Sequence, residues 1–379
     1  MKRTYLRYGM VGGGKGSMIG DVHRAAISLC GTAELTAGCF SRDMEKNREC
    51  AEACRMDTSR LYPDYRTMAE RESERADGID FVVIATPNSM HYETARCFLE
   101  HGFHVVCEKP LCFTAAEAEE LMELSRERGK LFCVTYTYTG YNIIKYARDM
   151  VREGRIGEVL HVQAEYLQDW LVDALDSPGD GGVWRLDPAK AGKSCCTGDI
   201  GTHLEALAAY VTGQRVERVA ARLERYGKAL DLGMDLLVGF DGGADGVFTA
   251  SQVSIGCLNG IRLRVFGTRG ALEWYQEEPE RLWYTPRGGN RQCIQRGMAC
   301  VTGRAAALKR LPAGHPEGFI TAFANIYEGF ITSVLKLTNG ETPDADDLDF
   351  PDAEWGMYGV KFIDAVVESD KNGSALTNL

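Results

Sequence analysis

Short apolar runs alternate with amphipathic stretches along the first third of the chain. The apolar runs fall at residues 5–11, 35–40, 79–85, 103–107 and 131–136, and the amphipathic stretches fall at residues 20–29, 42–54, 91–100 and 115–128. The run IDFVVIA has almost no polar alternation, which predicts a strand buried on both faces. Strands that alternate with helices at this spacing predict a parallel sheet with helices on both faces.

The pattern changes near residue 136. A single amphipathic helix at residues 141–152 is followed by long strands with little helix between them, at residues 159–170, 216–226, 234–240, 246–254, 262–266 and 271–275. Glycine-rich turns such as FDGGADG favour hairpins, so we predict a mostly antiparallel sheet. Residues 285–318 lack periodicity and are predicted to form a long loop, and helices are predicted at residues 318–337 and 352–369. These patterns predict an α/β domain at residues 1–136 and an α+β domain with a large open sheet at residues 137–379.

Composition narrows the kinds of partner that this chain can have. A length of 379 residues suits two domains, and a net charge of -11 disfavours nucleic acid and anionic membranes as partners. No apolar run reaches the roughly 18 residues of a membrane span. Charge and glycine interrupt the N-terminal stretch MKRTYLRYGMVGGG, which is therefore not read as a signal peptide. The 13 scattered cysteines fit a reducing environment, so we expect a soluble cytoplasmic protein.

The cysteine spacings also bear on metal binding. Cys50 and Cys54 are spaced CxxxC, and Cys195 and Cys196 are adjacent. Neither arrangement resembles the paired CxxC of a zinc site, so no metal is expected.

A glycine-rich turn, GGGKGSMIG, follows the first predicted strand. Gly12 and Gly14 match the first two glycines of a dinucleotide-binding turn, whereas Ser17 stands near the expected third position and Gly20 comes later. Such a turn lets the backbone approach the pyrophosphate, and the next helix supplies amide donors at its N-terminus. Because the turn lies between a strand and a helix, it predicts a Rossmann-type dinucleotide-binding domain. An ordinary glycine-rich turn is the alternative.

The ends of the second and third predicted strands offer further cofactor contacts. Ser41 and Arg42 favour the phosphate of NADP, whereas Asp43 could instead hold the ribose of NAD. Arg42 could also be a solvated surface charge. Thr86-Pro87-Asn88 follows the third strand, at the sheet edge where parallel sheets bind ligands, and can also begin the next helix.

The tripeptide Glu108-Lys109-Pro110 follows the fourth predicted strand, and Pro110 prevents that strand from continuing. During hydride transfer from an alcohol carbon, Lys109 could orient the hydroxyl and stabilise developing alkoxide charge. With a lowered pKa, it could take the proton itself. Glu108 need not be its partner, because adjacent strand residues point to opposite faces. A surface salt bridge is the alternative role for Lys109.

A second cluster, TGDIGTHLE, lies in the predicted sheet domain. Asp199 and His203 are four residues apart and would share one face at a helix start, where the helix dipole favours the carboxylate. His203 can accept and pass a proton near neutral pH, and Asp199 could hold substrate or orient the imidazole. The alternative is a capping aspartate with a buried structural histidine. Two ligands are too few for a metal site.

These motifs together resemble the Gfo/Idh/MocA family, the glucose–fructose oxidoreductase and inositol dehydrogenase-like oxidoreductases. The most specific are Glu108-Lys109-Pro110 on a Rossmann-like domain and GDIGTH in a larger sheet domain. WRLDPAKAGKS, YLQDW and GHPEGF are also similar to family segments, so the resemblance covers nearly the whole chain. It implies NAD(P)-dependent oxidation or reduction of a secondary hydroxyl on a sugar, glycoside or cyclitol, for example at ring C3.

The resemblance also implies roles for individual residues. Lys109 would polarise the reacting oxygen, His203 would be the acid/base, and Asp199 would bind substrate beside it. Trp184 and Arg185 would approach the nicotinamide end of the cofactor, NAD or NADP. The expected cofactor contacts are Gly12, Gly14, Met18, Ile19, Ser41, Arg42, Thr86, Pro87, Asn88, His91, Glu108, Lys109, Thr137, Trp184 and Arg185. The expected substrate contacts are Lys109, Tyr166, Gln168, Trp170, Asp199, His203 and His315.

Some features depart from the family pattern and leave alternatives open. Thr137 falls where the family often has asparagine, Cys195-Cys196 replaces small or apolar residues, and the glycine turn is longer than usual. Only half of YLQDW can face a site, because strand side chains alternate. The family's large sheet commonly forms the subunit interface, which implies a homodimer or homotetramer. Two other functions stay open: glycoside cleavage by transient oxidation with a retained cofactor, and a non-catalytic sugar or nucleotide sensor.

Overall fold

The computed structural model describes residues 2–379, which form two compact units. The first unit extends to Gly140 and also includes Phe319–Met357, and the second comprises Tyr141–Gly318 and Tyr358–Leu379. The division into domains at residues 1–136 and 137–379 stays a prediction. That prediction placed residues 319–357 in the second domain, whereas the structure groups them with the first unit.

The first unit contains a five-stranded parallel sheet with the strand order β2-β1-β3-β4-β5. Its strands are β1 (Leu6–Gly12), β2 (Ala33–Cys39), β3 (Phe81–Ala85), β4 (His104–Cys107) and β5 (Phe132–Val134). The helices between them are α1 (Met18–Cys30), α2 (Met44–Ala53), α3 (Tyr65–Ser73), α4 (His91–Glu100) and α5 (Ala115–Glu127). The predicted parallel sheet with intervening helices is confirmed.

Local sequence explains most of these elements. Every residue of β3 and β4 is buried, as their continuous apolar sequences predict. Thr114 caps α5 in a capping box with Glu117. Helix α3 was not predicted, because its sequence YRTMAERES is mostly polar. Only the spacing of its buried residues Tyr65, Met68 and Ala69 marks a helical face.

The second unit contains a nine-stranded sheet with the strand order β13-β12-β11-β10-β6-β9-β8-β7-β14. Its strands are β6 (Val159–Leu167), β7 (Val216–Glu224), β8 (Gly233–Phe240), β9 (Asp245–Ser251), β10 (Gly260–Gly267), β11 (Gly270–Tyr275), β12 (Arg281–Pro286), β13 (Gln292–Gln295) and β14 (Thr377–Asn378). The prediction of a mostly antiparallel sheet is confirmed. The sheet is not antiparallel throughout, because β6 lies between β10 and β9 and pairs with β9 in parallel.

The α-helices that lie wholly within the second unit are α6 (Asn142–Arg152), α7 (Pro188–Ala191), α8 (Thr202–Thr212) and α9 (Gly303–Ala307). The prediction of a structureless loop at residues 285–318 is wrong in part. The segment holds the end of β12, the short strand β13 and helix α9. These elements are too short to show a clear period in the sequence.

Two long helices follow, α10 (Phe319–Thr338) and α11 (Ala353–Lys371). Helix α10 packs on α1, where Phe323 and Tyr327 meet the edge of His23. Phe330 of the same helix packs edge-on against Phe81 of β3 with a centroid separation of 5.4 Å. Helix α10 therefore completes the core of the first unit.

Within residues 2–379, no helix has both the length and the hydropathy needed to cross a bilayer.

Candidate active site

The glycine-rich turn connects β1 to α1 and brings its backbone very close to neighbouring segments. Gly12 has a φ of +77°, and a Cβ added there would lie 2.5 Å from the Ala85 carbonyl oxygen. A Cβ at Gly20, in the first turn of α1, would lie 2.2 Å from the Gly13 carbonyl oxygen. Gly20 therefore provides the close packing expected of the third glycine in a dinucleotide-binding turn. The hydroxyl of Ser17 caps α1 by accepting from the Gly20 amide.

This turn fits the pyrophosphate of a dinucleotide. The turn leaves no room for side chains at Gly12 and Gly20, and α1 directs its N-terminus towards the turn. Arg24 of α1 holds the turn in place, because Nη1 donates to the Gly13 carbonyl oxygen at 2.7 Å. Met18 is strongly exposed at the start of α1, whereas Ile19 is half-buried. Their predicted cofactor contacts stay predictions.

Asp43 and Arg42, which follow β2, differ in their contacts. Asp43 caps α2, and its Oδ1 accepts from the Glu45 amide at 2.9 Å. The Ser41 amide donates to Asn47 at 2.7 Å, which fixes the tip, while Arg42 is exposed. The carboxylate of Asp43 is thus engaged by the start of the next helix. Arg42 and Asp43 are both exposed, and Arg42 is the positive charge that a cofactor phosphate could meet.

His91 joins the turns that follow β3 and β4. Its ring is fully buried, with Nδ1 2.8 Å from the Pro110 carbonyl oxygen and Nε2 3.0 Å from that of Thr86. Burial lowers the pKa of His91, although both carbonyl contacts oppose this. The Thr86-Pro87-Asn88 turn and the end of the Glu108-Lys109-Pro110 motif are therefore held together. Any effect of His91 on the cofactor would act through these turns.

Glu108 and Lys109 lie in different surroundings, as strand alternation predicts. The Glu108 carboxylate is buried, where it accepts a hydrogen bond from Thr135. His23 Nε2 lies 3.2 Å from Oε1, an ion-pair contact outside hydrogen-bond geometry. Burial alone would raise the pKa of Glu108, but His23, Lys109 and Thr135 hold it at about 2. Lys109 is half-buried at the rim. Glu108 thus anchors the end of β4 in the interior.

Thr137 lies just beyond β5, in the short 3-10 turn Thr137–Gly140. Its side chain is buried, and its hydroxyl donates to the Thr135 carbonyl oxygen at 3.3 Å. A cofactor contact at Thr137 stays a prediction.

In the second unit, a one-turn π-helix, Thr197–Gly201, precedes α8 and carries Asp199. Asp231 is buried and holds the entry to this turn. Its carboxylate accepts from the amides of Cys195 and Thr197, each at 2.8 Å, and from the hydroxyls of Ser194 and Thr197, each at 2.9 Å. Asp231 was not predicted as a site residue. It fixes the backbone on which Asp199 and His203 stand.

Asp199 lies within a polar and aromatic cluster. Its Oδ2 accepts from Gln252 Nε2 at 2.9 Å and lies 3.3 Å from Arg185 Nε. The Arg185 guanidinium lies over the rings of Trp184, at 4.5 Å, and Trp170, at 5.6 Å. Opposite charge and hydrogen bonds stabilise an ionised carboxylate. The structure thus groups Trp184 and Arg185, which were predicted near the cofactor, with Asp199.

The end of β6 contributes a second set of side chains to this cluster. Tyr166, Gln168 and Trp170 alternate onto one face, as predicted, and are hydrogen-bonded in sequence. Trp170 Nε1 donates to Gln168 Oε1 at 3.0 Å, and Gln168 Nε2 lies 3.4 Å from the Tyr166 hydroxyl. The Tyr166 ring lies 6.3 Å from that of His203. Tyr166, Gln168, Trp170, Asp199 and His203 therefore lie in one region of the second unit.

Sequence reasoning missed two residues of this cluster. Asn259 Oδ1 accepts from the Tyr166 hydroxyl at 2.7 Å and from Gln168 Nε2 at 2.9 Å. Alternate residues of β9 are buried, and Gln252 follows Phe248 and Ala250 in this alternation. A polar residue where the alternation predicts a buried apolar one is a signal that could have found Gln252. No comparable signal marks Asn259.

His315 lies elsewhere in the second unit, within the GHPEGF segment. Its carbonyl oxygen accepts from Arg296 Nη2 at 2.6 Å, while the residue itself is exposed. Substrate binding by His315 stays a prediction. Across residues 2–379, no group of three or more histidine, cysteine, aspartate or glutamate side chains is arranged to hold a metal ion.

Comparison with known proteins identifies the family. Residues 6–136 match the model described as an oxidoreductase family with an NAD-binding Rossmann fold, and residues 144–273 match the GFO/IDH/MocA C-terminal domain. An uncharacterised oxidoreductase of Bacillus subtilis, YfiI, is 35% identical over 97% of this chain and 95% of its own length. The chain belongs to the Gfo/Idh/MocA oxidoreductase family.

Other Gfo/Idh/MocA-like proteins show what has been bound by this architecture. An inositol dehydrogenase homologue from Azotobacter vinelandii, solved with NADH and myo-inositol, superposes with a TM-score of 0.91 at 35% identity, covering 100% of this chain and 99% of that one. A levoglucosan dehydrogenase of Pseudarthrobacter phenanthrenivorans is 30% identical over 54% of this chain and 57% of its own length. The family establishes this protein as an oxidoreductase with an NAD-binding domain, and the turn at Gly12 and Gly20 fits that cofactor.

Proposed function

We propose that this protein oxidises a secondary hydroxyl of a sugar, glycoside or cyclitol with NAD or NADP, or reduces the corresponding ketone. The observation that carries the proposal is the cluster around Asp199. A carboxylate held by Gln252 and Arg185 lies with an exposed indole, Trp170, and the hydrogen-bonding side chains of Tyr166 and Gln168. Aromatic faces with fixed polar groups suit a ring polyol.

The residues would divide the chemistry as follows. The bound cofactor supplies the hydride acceptor for oxidation. Asp199 accepts a hydrogen bond from a substrate hydroxyl, and Lys109 polarises the reacting oxygen. His203 takes the proton from the substrate hydroxyl. The carbon that carries this hydroxyl loses its C–H hydrogen as a hydride and becomes the ketone carbon. In the reverse direction, His203 returns the proton to the carbonyl oxygen.

The identity of the substrate follows from chemistry shared with relatives. Myo-inositol and levoglucosan are both rigid rings with several secondary hydroxyls, and they are linked by name to two of the relatives. Trp170 is 43% exposed and can pack against the apolar face of such a ring. We therefore favour a cyclic polyol over an open-chain alcohol.

A panel of polyols tests this function. Myo-inositol, levoglucosan, D-xylose and methyl β-D-glucoside would each be incubated with NAD⁺ and with NADP⁺ while the reduced-nicotinamide absorbance is followed. At least one polyol should give turnover, and Lys109→Ala or His203→Ala should lower it by about a hundredfold or more. Lys371→Ala and His101→Ala, which change exposed residues, are the matched controls. Full activity in both site variants would contradict the proposed roles.

The panel also separates the two alternative functions. Glycoside cleavage without net cofactor reduction, from protein that keeps its cofactor through gel filtration, would show a transient-oxidation enzyme. Cofactor binding without turnover or cleavage of any polyol would show a sensor. Either result would contradict the proposed dehydrogenase.

We also propose that the large sheet mediates self-association. Its open face exposes Leu237 of β8 and Val247 of β9, which are paired across the two strands. Exposed apolar side chains on neighbouring strands support an interface between copies of the chain. Light scattering should report a dimer or tetramer for the native chain and a smaller species for Leu237→Lys. A native monomer would contradict this proposal.

A further inference from the structure

We infer that Gln252, oriented by the Cys195 thiol, is the positioning residue that aims Asp199 at the substrate. Gln252 is fully buried at the end of β9. Its Nε2 donates to Asp199 Oδ2 at 2.9 Å, and its Oε1 accepts from Cys195 Sγ at 3.3 Å. A thiol, an amide and a carboxylate thus form one series of hydrogen bonds, buried at Cys195 and Gln252 and partly buried at Asp199.

The chemistry at each end of the chain fixes the orientation of the amide. An ionised carboxylate accepts hydrogen bonds but cannot donate them, so Nε2 must face Asp199. Oε1 faces Cys195 and accepts from its thiol at 3.3 Å, although a thiol sulfur can itself accept weakly. With the amide reversed, Oε1 would face Oδ2, and only a protonated Asp199 could supply the missing hydrogen. The observed orientation is therefore the one that an anionic Asp199 requires.

Backbone hydrogen bonds fix Cys195 in the loop before the π-helix and Gln252 just after β9. The Cys195 amide donates to Asp231 Oδ1 at 2.8 Å, which holds the thiol in place. The backbone N–H of Gln252 donates to the Leu232 carbonyl oxygen at 2.9 Å, and the backbone carbonyl oxygen of Gln252 accepts from the Leu171 N–H at 3.0 Å. The side-chain amide of Gln252 is in turn held between Cys195 Sγ and Asp199 Oδ2.

This inference rests on the proposed function and extends it. Gln252 and Arg185 contact the same oxygen, Oδ2, and both stabilise negative charge there. Asp199 would therefore stay anionic through the reaction and serve as a hydrogen-bond acceptor, while the proton moves to His203. Loss of the Gln252 donor would raise the pH at which Asp199 becomes protonated and weaken substrate binding.

The test compares pH profiles in variants of both partners. Gln252→Leu should lower kcat/KM by about ten- to hundredfold and move the acid limb of the profile to higher pH. Gln252→Glu places a second carboxylate against Asp199 and should move that limb upward by about one pH unit or more. Cys195→Ala should lower kcat/KM about threefold, whereas Cys195→Ser keeps a donor and should restore it to within about twofold. Cys196→Ala, at the adjacent buried thiol, is the matched control.

A binding readout separates positioning from damage to the fold. Calorimetry would measure the affinity of the cofactor-bound protein for myo-inositol, or for the most active polyol of the panel, between pH 5 and pH 9. The inference is wrong if Gln252→Leu and Cys195→Ala keep the wild-type pH dependence of both affinity and kcat/KM. If Gln252→Leu does not fold, the Cys195→Ala and Cys195→Ser pair decides. Full activity in Asp199→Asn would instead overturn the proposed function.

Discussion

Arg185 forms an ion pair with Asp199, with Nε 3.3 Å from Oδ2, while its guanidinium lies over the rings of both Trp184 and Trp170. The cation is thus fixed by aromatic faces rather than by a second carboxylate. The aromatic rings therefore hold the positive charge of Arg185 beside Asp199. We propose that this charge favours the carboxylate form of Asp199 that binds substrate.

Substitution of Arg185 tests this electrostatic role. Arg185→Met keeps an apolar side chain between the indoles but removes the charge, so kcat/KM should fall about fivefold through a higher KM. Steady-state kinetics with the best polyol measures the effect. Lys190→Met, which breaks the exposed ion pair with Asp187, should change kcat/KM by less than about twofold. Equal effects of the two variants would argue against a specific role for Arg185.

Glu205 should make the stability of the protein depend on pH. Burial raises the pKa of Glu205 to about 7, although Arg215 opposes this, with Nη1 3.7 Å from the carboxylate. Because the folded-state pKa is raised, the contribution is fully present below about pH 4.5 and is lost as the pH rises through about 7. Glu205→Gln should be as stable as the native chain near pH 4.5 and more stable by roughly 2–3 kcal/mol near pH 8.5.

Urea unfolding at both pH values measures this difference. Glu217→Gln, at an exposed site on β7, should leave the pH dependence unchanged. A constant stability difference between Glu205→Gln and the native chain at pH 4.5 and pH 8.5 would show that Glu205 does not titrate in this range.

Substitution of Gly12 tests whether the turn after β1 binds the cofactor. Gly12→Ala adds a Cβ about 2.5 Å from the Ala85 carbonyl oxygen at a φ of +77°, so the turn must move. The Kd for NADH, followed by cofactor fluorescence, should rise about tenfold or more. Gly31→Ala, at the other end of α1, has a φ of +71° with no atom within 4 Å of the added Cβ. It should cost about 1 kcal/mol of stability and leave the Kd unchanged.

Arg42 tests which dinucleotide the tip of β2 favours. Asp43 is engaged as the cap of α2, whereas Arg42 is exposed and available to a 2′-phosphate. Arg42→Ala should therefore lower kcat/KM with NADP⁺ about tenfold and change kcat/KM with NAD⁺ less than twofold. Arg48→Ala, at an exposed site on α2, should alter neither value. Equal losses with both cofactors would place the role of Arg42 outside phosphate recognition.

The sequence predicted those features that local patterns determine. Continuous apolar runs marked the parallel strands, and Gly12 and Gly14 marked the dinucleotide turn. The alternation of Tyr166, Gln168 and Trp170 predicted their common face. In contrast, the parallel pairing of β6 with β9 and the return of residues 319–357 to the first unit depend on contacts distant in sequence, which periodicity does not encode.

The contacts of the site were harder to predict for the same reason. Asp231, Gln252 and Asn259 reach the cluster from separate strands and loops, so no motif joins them to TGDIGTHLE. Arg185 was expected near the cofactor because of family resemblance, whereas its pairing with Asp199 needed the structure. The catalytic roles of Lys109, Asp199 and His203 stay predictions.

We propose that hydride passes between a ring carbon of a polyol and the nicotinamide. Deuterium transfer follows that hydride from substrate to cofactor. The protein would be incubated with NAD⁺ and ring-deuterated myo-inositol, levoglucosan or methyl glucoside, and the isolated cofactor and sugar would be examined by NMR. We expect one deuteron at nicotinamide C4 and an equal amount of ketone, and we expect His203→Ala to give neither. Unlabelled cofactor and no ketone from any of these polyols would contradict it.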